Sequence, residues 1–397
     1  MKLPTDDPIV VVAMGRTPMA GFQGEFAPMT CSDLGAKAIH AVVKQAELKE
    51  EEVDEVLMGC VLPAGQGQAP ARQAAIKAGL PKSVPCTTVN KMCGSGMKTT
   101  MQMVESLLAG TVTVGVAGGM ESMTNAPYIL PKMREGARLG HAEAKDHMFL
   151  DGLEDAYEGG LMGSFAELCA EKYQFTREAQ DEYAIASLNR AVSAHESGQF
   201  ANEIIPVTVE TRKGSYTIEQ DEQPAKARPE KIPNLKPAFK KDGTVTAANA
   251  SSISDGAAAI VLMRQSEAAR RGLKPIAKVL AQSSHAQEPA WFTTAPVQAI
   301  DDVMKDLEWG VGDVDLFEVN EAFAVVPMAA MQELSIPHEK INVNGGACAL
   351  GHPIGASGAR IIVTLLNALQ KRGLKTGVAS LCIGGGEATA MAFELAA

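Results

Sequence analysis

The sequence lacks the features that would place the chain in a membrane or outside the cell. No apolar run approaches the roughly 20 residues of a membrane-spanning helix. The N-terminus shows no charged-then-apolar signal pattern, and the seven cysteines include no C-x-x-C pair. An odd number of cysteines without such a pair is typical of a reducing compartment. We therefore expect a cytoplasmic protein with no membrane association.

Positive charge is also scarce, because 36 Lys and Arg residues face 47 Asp and Glu residues and leave a formal charge of −11. This balance argues against general binding to nucleic acids or anionic membranes. No metal-ligand spacing is visible. One stretch departs from the acidic average, and its basic residues are Arg212, Lys213, Lys226, Arg228, Lys231, Lys236, Lys240 and Lys241. Such a cluster favours a phosphorylated ligand, while a solvated loop remains the alternative for any single member.

The chain instead shows strands that alternate with helices. Residues 9–14 form a short, β-branched apolar run, typical of a strand covered on both faces. Residues 30–46 have apolar side chains at helical spacing, with Ser32 or Asp33 as the candidate N-cap. A second strand is predicted over residues 53–58. This order predicts a layered α/β protein with a mainly parallel sheet, and 397 residues predict two or three domains.

Cys93 lies where a strand-like run gives way to a helical pattern that includes Met97 and Met101. A cysteine at a helix N-terminus is favoured as the thiolate, the nucleophilic form. Gly94 and Gly96 add no bulk beside it, so we expect that a large electrophile can approach the sulfur. The alternative is a buried, inert cysteine.

The second half of the chain resembles the first. Gly94-Ser95-Gly96 corresponds to Ala356-Ser357-Gly358, and in both copies the next Gly-Val-Ala begins 19 positions after the last glycine, at Gly115 and Gly377. The strand-like run 257–262 comes some 130 residues later than its counterpart would, which an insertion explains. The predicted domains are residues 1–121 with 251–275 as one half, 122–250 as the insertion, and 276–397 as the second half.

Two glycine-rich motifs follow in the second copy. Residues 344–358 form a glycine-dense loop that leads into a helix and contains His352. Cys382 ends a strand-like run and precedes three glycines, whose N–H groups can bind an anion. Each motif alone is compatible with a purely structural role.

Taken together, four blocks resemble the signature motifs of the thiolase family. They are Asn-Lys-Met-Cys-Gly-Ser-Gly around Cys93, Asn320-Glu321-Ala322-Phe323-Ala324, Gly351-His352-Pro353, and Cys382-Ile383-Gly384-Gly385-Gly386. The resemblance implies an α/β fold of two similar halves in five layers with an inserted loop domain. That architecture agrees with the duplication and the insertion inferred above.

The resemblance also implies a role for each block. Cys93 is the nucleophile that attacks an acyl-CoA thioester, and His352 is its base. Cys382 moves the α-proton of acetyl-CoA. Asn320, through a water molecule, and His352 hold the enolate oxygen, while the N–H groups of Cys93 and Gly384 hold the oxyanion of the acyl-transfer step.

Coenzyme A is implied as a substrate, with no permanently bound cofactor and no metal. By position, the resemblance implies the pocket residues Met162, Leu235, Phe239, Ala247, Ala250, Ser251, Phe292 and Phe323. Arg228 is added as a phosphate contact because of its charge alone. Residues 118–128 resemble those of short-chain acetoacetyl-CoA thiolases. Two residues depart from that pattern: Leu161 stands where a histidine is common, and Glu387 follows the three glycines where a small or apolar residue is usual.

The leading hypothesis is therefore an acetyl-CoA acetyltransferase, which forms or cleaves acetoacetyl-CoA through an acyl-cysteine. The alternative is a broader or longer-chain 3-ketoacyl-CoA thiolase of fatty-acid β-oxidation. A ketoacyl synthase with a Cys-His-His set is disfavoured by Asn320 and Cys382, and a non-catalytic lipid-binding relative by the intact motifs. Family members form dimers or tetramers, and the excursion over residues 128–139 favours a homotetramer.

Overall fold

The computed structural model describes residues 1–396, and its largest feature is a ten-stranded sheet that runs through both copies of the repeat. The strands are β1 (Ile9–Arg16), β2 (Ala20–Gly21), β3 (Glu55–Gly59), β4 (Cys86–Val89), β5 (Val114–Ser122), β6 (Tyr128–Ile129), β7 (Lys145–Asp146), β8 (Val207–Thr211), β9 (Gly214–Ile218), β10 (Ser254–Arg264), β11 (Ala277–Ala286), β12 (Leu316–Val319), β13 (Thr376–Ile383) and β14 (Glu387–Leu395). The helices are α1 (Cys31–Gln45), α2 (Pro70–Lys77), α3 (Ser95–Ala109), α4 (Met162–Tyr173), α5 (Arg177–Glu196), α6 (Glu222–Lys226), α7 (Gln265–Arg271), α8 (Ala295–Leu307), α9 (Val325–Leu334), α10 (Ala347–Leu350) and α11 (Ile354–Arg372).

The strand order is symmetric about the middle of the sheet. It runs β12-β13-β14-β11-β1-β10-β5-β3-β4, with β2 paired to β10. On one side β3 and β5 are parallel and β5 and β10 antiparallel, and on the other β12 and β13 are parallel and β13 and β14 antiparallel. The copies meet where β1 pairs with β11, at Val10–Lys278 and Val11–Ala277. The predicted duplicated α/β fold is confirmed, but the expectation of a mainly parallel sheet is wrong. Six of the nine strand pairs in this sheet are antiparallel, and only β3–β4, β3–β5 and β12–β13 are parallel.

Three apolar cores separate the helices from the sheet. The first lies between α1, α2 and the outer face of β1, β5 and β10. The second contains α3 and α11 and reaches strands of both copies, from Ile260 on β10 to Phe393 on β14. The third lies between α8, α9 and the outer face of β12–β14. The molecule therefore has five layers, in the order helix, sheet, helix, sheet and helix. Each half of the sheet forms one of the two sheet layers, and α3 and α11 occupy the central layer.

Residues 123–253 lie between β5 and β10 and contain α4, α5, α6 and the small pairs β6–β7 and β8–β9. Helix α5 begins after Thr176, whose side chain accepts a hydrogen bond from the Ala179 N–H. The exact bounds of the three predicted domains stay a prediction.

The expected cap of α1 is wrong. Thr30 is the N-cap, and its side chain accepts from the backbone of Asp33 while the Asp33 carboxylate accepts from the backbone of Thr30. Asp33 is thus the third helical residue of a capping box, which satisfies two N–H groups at once.

Within residues 1–396, no helix is long and apolar enough to cross a membrane. All seven cysteines are unpaired, and the closest approach recorded between two of them is 3.9 Å, between the sulfurs of Cys31 and Cys60.

Candidate active site

Cys93 is held in a tight turn between β4 and α3. Met92, which precedes it, has a φ of +47°, a left-handed conformation that a residue with a side chain adopts only when its surroundings enforce it. The Met92 N–H donates to the side-chain oxygen of Asn90, and Ser95 Oγ accepts from the Lys91 N–H and donates to the Met92 carbonyl. These three hydrogen bonds fix the backbone that carries Cys93.

The glycines beside Cys93 serve internal packing. A Cβ on Gly94 would lie 2.4 Å from Ile383, and a Cβ on Gly96 would lie 2.8 Å from the Ala359 backbone nitrogen. The counterpart glycine on α11, Gly358, faces the backbone of Met97 at 2.3 Å. The expectation that these glycines leave room for the electrophile is therefore wrong, because their open sides are filled by the other copy of the repeat.

Burial also changes the expected state of the nucleophile. It raises the pKa of Cys93 to about 11, although the backbone N–H groups of Gly384 and of Cys93 itself act to lower that pKa. The expected thiolate is therefore wrong for the free protein, in which the thiol is neutral. The two N–H groups converge on the position of the sulfur, where they could instead stabilise charge that develops during a reaction.

His352 comes from the other copy and lies in the same cavity as Cys93. Its Nδ1 is 2.6 Å from Ser357 Oγ, which in turn donates to the Pro353 carbonyl at 3.0 Å. Because the hydroxyl has one proton, this network assigns the ring proton to Nδ1 and leaves Nε2 as an acceptor. Burial, together with the charge of Arg360, lowers the pKa of His352 to about 3, so the imidazole is neutral at physiological pH.

Asn320 follows β12 and is buried beside His352. Its side-chain nitrogen is 3.5 Å from each ring nitrogen of His352, and its side-chain oxygen accepts from Arg360 at 3.2 Å. Arg360 is also buried and pairs with Glu318 at 2.8 Å. The amide is thus held with its N–H group toward the imidazole.

Cys382 is the penultimate residue of β13 and is fully buried. Burial raises the pKa of its thiol well above the ordinary value, and the neighbouring Cys93 raises it further. Two neutral thiols, one neutral imidazole and convergent N–H groups can support acyl transfer to sulfur together with proton transfer at a nearby carbon.

A buried carboxylate joins the loops around this group. Glu121 accepts hydrogen bonds from the N–H groups of Val61, Leu62 and Gly355, at 2.8 to 3.1 Å. Burial raises the pKa of Glu121 to about 7. Because Gly355 lies three residues after His352, this contact fixes the start of α11 against the first copy.

A cavity of about 360 Å³ opens onto Cys93, His352 and Gly384. Seven of the nine predicted pocket residues line it: Met162, Phe239, Ala247, Ala250, Ser251, Phe292 and Phe323. Arg228 and Leu235 do not; they line a neighbouring cavity of about 290 Å³, together with Lys226 and Lys231. The two cavities share Ala247 and Ser252, so they are adjacent.

Sequence reasoning missed part of the wall near Cys93. These apolar residues are Met123, Phe149, Leu153, Ile253 and Ile354. Met123 and Ile354 lie inside motifs that were recognised, but the segment Phe149–Leu153, a turn of π-helix, carries no sequence signal. Leu161, the departure at the usual histidine, also lines this cavity.

The second departure, Glu387, forms an ion pair with Lys91. Lys91 belongs to the turn that carries Cys93, and Glu387 begins β14, three residues after Gly384. The pair therefore links the nucleophile turn of one copy to the glycine loop of the other.

Comparison with known proteins identifies the family and the fold. The family model described as the thiolase N-terminal domain matches residues 9–266, and the thiolase C-terminal domain matches residues 273–395. Acetyl-CoA acetyltransferase 2 of Arabidopsis thaliana is 50% identical over 98% of this chain and 97% of its own length. The crystal structure of the Bacillus anthracis acetyl-CoA acetyltransferase superposes with a TM-score of 0.96, at 40% identity, over 98% of this chain and 99% of that one. A thiolase from Ascaris suum in complex with coenzyme A gives a TM-score of 0.92, at 40% identity, over 98% of this chain and all of that chain.

Proposed function

The chain belongs to the thiolase family, and from this premise we propose that it interconverts two molecules of acetyl-CoA with acetoacetyl-CoA and free coenzyme A. The observation that carries the proposal is that Cys93, His352 and Gly384 share one cavity, with Cys382 and Asn320 buried next to them.

Cleavage begins when the Cys93 sulfur attacks the 3-keto carbon of acetoacetyl-CoA. His352 Nε2 accepts the thiol proton as the bond forms, because the thiol is neutral before attack and the imidazole is unprotonated. The C2–C3 bond then breaks, and its electron pair leaves as the enolate of acetyl-CoA. Coenzyme A finally attacks the acetyl-cysteine. Its thiol proton restores the proton that Cys382 gives to the enolate, and the departing Cys93 sulfur regains its own proton from His352.

The enolate needs a proton donor and a stabilised oxygen. Cys382 is the donor, since its thiol remains protonated at neutral pH, and in the direction of synthesis its thiolate takes the proton back. His352 and a water molecule held by the N–H group of Asn320 stabilise the enolate oxygen, with the amide orientation set by Arg360. During acyl transfer, the N–H groups of Cys93 and Gly384 hold the oxyanion.

Coenzyme A binds along the two adjacent cavities. The aromatic and alanine-lined cavity suits the slender pantetheine arm, and its neighbour presents Lys226, Arg228 and Lys231 for the phosphates. Coenzyme A is thus a substrate, and no step of this mechanism uses a resident cofactor.

We further propose that the protein is a homotetramer in the cytoplasm and acts in fatty-acid metabolism. The excursion from residue 128 to residue 139 exposes Tyr128, Leu130, Met133 and Leu139, the last at 98%. Exposed apolar side chains of this kind are typical of contacts between subunits. Seven unpaired cysteines fit a reducing compartment. Light scattering after size-exclusion chromatography would measure the mass, and a monomer would contradict the assembly.

The test separates the two chemical steps. One assay follows acetoacetyl-CoA cleavage, and the other follows exchange of the acetyl group between acetyl-CoA and labelled coenzyme A, which needs only the acyl-cysteine. Cys93→Ala should abolish both reactions. Cys382→Ser should slow cleavage by about 10²–10⁴-fold and leave exchange largely intact. Cys86→Ser, outside the cavity, is the matched control, and activity retained in Cys93→Ala would contradict the proposal.

A further inference from the structure

A third cavity, of about 430 Å³, lies outside the region assigned to coenzyme A, between α5, the loop 341–344 and the end of α11. It shares no lining residue with the catalytic cavity or with the cavity of Arg228. Three cations line it, Arg190 from α5 and Lys371 and Arg372 from α11. Among the described residues, no acidic side chain lines this cavity and no ion pair neutralises these cations.

This lack of pairing is unusual within this protein. Lys371 and Arg372 are exposed, but Arg190 is half-buried. Of the six buried or half-buried arginines elsewhere, five have carboxylate partners, as in Arg16–Glu203 and Arg360–Glu318, and the exception, Arg72, donates to backbone carbonyls. With a formal charge of −11, the chain has more carboxylates than cations. Three cations that face one cavity without any carboxylate therefore carry an uncompensated positive charge, which attracts anions.

Hydrogen bonds to neutral oxygens hold the two arginines in place. Arg190 donates to the carbonyls of Ile341 at 2.9 Å and His338 at 3.0 Å, and Arg372 donates to the side-chain oxygen of Asn344 at 3.1 Å. These contacts orient the guanidinium groups but supply no negative charge. The two guanidinium groups also repel each other. Burial lowers the pKa of Arg372, and the positive charge of Arg190 lowers that pKa further.

Further polar groups complete the wall. Ser193 and Ser197 also line the cavity, where the Ser197 hydroxyl donates to the Ser193 carbonyl at 2.6 Å. The buried side-chain nitrogen of Asn344 has no hydrogen-bond partner in the described protein. Basic residues at the end of a helix are also favoured by the helix dipole. That explanation accounts for Lys371 and Arg372 but not for Arg190, which comes from the middle of another helix.

We propose that this cavity is a binding site for a small phosphate-bearing anion, distinct from the coenzyme A site. Guanidinium pairs match phosphate oxygens in geometry and charge, and the volume leaves room for an organic group attached to the phosphate. The bound anion would connect α5, in the inserted segment, with α11, which carries the catalytic loop at its other end. The proposal does not depend on the reaction catalysed.

Isothermal titration of the full-length protein tests the proposal, with inorganic phosphate and glycerol 3-phosphate as the probes. The ionic strength is held constant with chloride, and saturating coenzyme A is present so that its own site is filled. We expect saturable binding of at least one probe, and comparable binding of both would identify the phosphate group as the part recognised. Binding that coenzyme A abolishes, or no binding beyond that of chloride, would overturn the proposal.

Variants locate the binding. Arg372→Gln and Lys371→Gln should each weaken it by about tenfold, since each removes one charge-assisted contact. Arg270→Gln is the matched control, because Arg270 also lies in the last turn of a helix but is paired with Glu267. Cleavage activity and melting temperature should be unchanged in Lys371→Gln, which shows that the chain is folded. Equal affinity in the wild type and both cavity variants would overturn the assignment.

Discussion

The guanidinium of Arg360 donates a hydrogen bond to the side-chain oxygen of Asn320 at 3.2 Å, and this contact decides which end of the amide faces His352. The amide nitrogen is then 3.5 Å from the ring, where it can donate to a water molecule that binds the enolate oxygen. Arg360 does not line the cavity; it orients Asn320, and its charge helps to lower the pKa of His352, so we regard it as a positioning residue.

Arg360→Met should lower both stability and the rate of carbon–carbon bond cleavage. The change leaves Glu318 as an unpaired buried carboxylate, which costs about 3–5 kcal/mol of the free energy of unfolding. The double variant Glu318→Met/Arg360→Met should regain most of that stability in urea denaturation. Its kcat for cleavage should stay low while acetyl exchange is spared, because Asn320 can still turn. Recovery of cleavage with stability would show that Arg360 has no positioning role.

The raised pKa of Cys93 predicts how alkylation depends on pH. With a pKa of about 11, the reactive thiolate is a minor species at neutral pH, so inactivation by iodoacetamide should accelerate steadily from pH 7 to about pH 10. The folded state retains this proton above the pKa of an unfolded cysteine, so the stability contributed by the neutral thiol is lost as the pH rises from about 9 through 11. A plateau in the rate below pH 9 would instead indicate a thiolate already present in the free enzyme.

The ion pair between Lys91 and Glu387 should influence rate more than stability. Both side chains are partly exposed, at 23% and 35%, so Glu387→Gln should cost less than about 1 kcal/mol. It should lower kcat/KM by about threefold to tenfold, because the Gly384 loop is no longer tied to the Cys93 turn. Lys91→Met should have the same effect, and the double variant should be no worse than either single one. Additive losses in this cycle would mean that the two residues act separately.

Leu161 should help to determine which acyl chains are accepted. Replacing it with histidine places a polar ring in an apolar wall. In Leu161→His, kcat/KM for acetoacetyl-CoA should change by less than about threefold, while that for 3-ketohexanoyl-CoA should fall by about tenfold, roughly the value of burying two methylene groups. A series of 3-ketoacyl-CoA substrates of increasing length measures this. A uniform fall across the series would place Leu161 against the pantetheine arm instead.

The duplicated fold could be predicted from the sequence because glycine trios, apolar strands and their spacings recur in both copies. The candidate site was also foreseeable, since Cys93, His352 and Cys382 each lie in a glycine-rich motif. Arg360 could not be recognised, because it lies beside the apolar face of α11 and its partner Glu318 is 42 residues away. Its burial depends on packing between copies, which no local pattern encodes.

The protonation state of Cys93 was missed for a related reason. The local sequence shows the helix start that favours a thiolate, but the desolvation that outweighs it comes from residues distant in the chain. Likewise, the two glycines beside Cys93 could be seen in the sequence, whereas the atoms of α11 that fill the space next to them could not.

The close crossing of α3 and α11 at Gly96 and Gly358 has a further consequence. Cys93 and His352 each lie just before one of these helices, so the gap between sulfur and imidazole is set by how closely two interior backbones approach. A single added methyl group at the crossing would spread the two helix starts apart, and a displacement of about 1 Å can cost about a hundredfold in rate. Fast turnover therefore depends on residues that never meet a substrate.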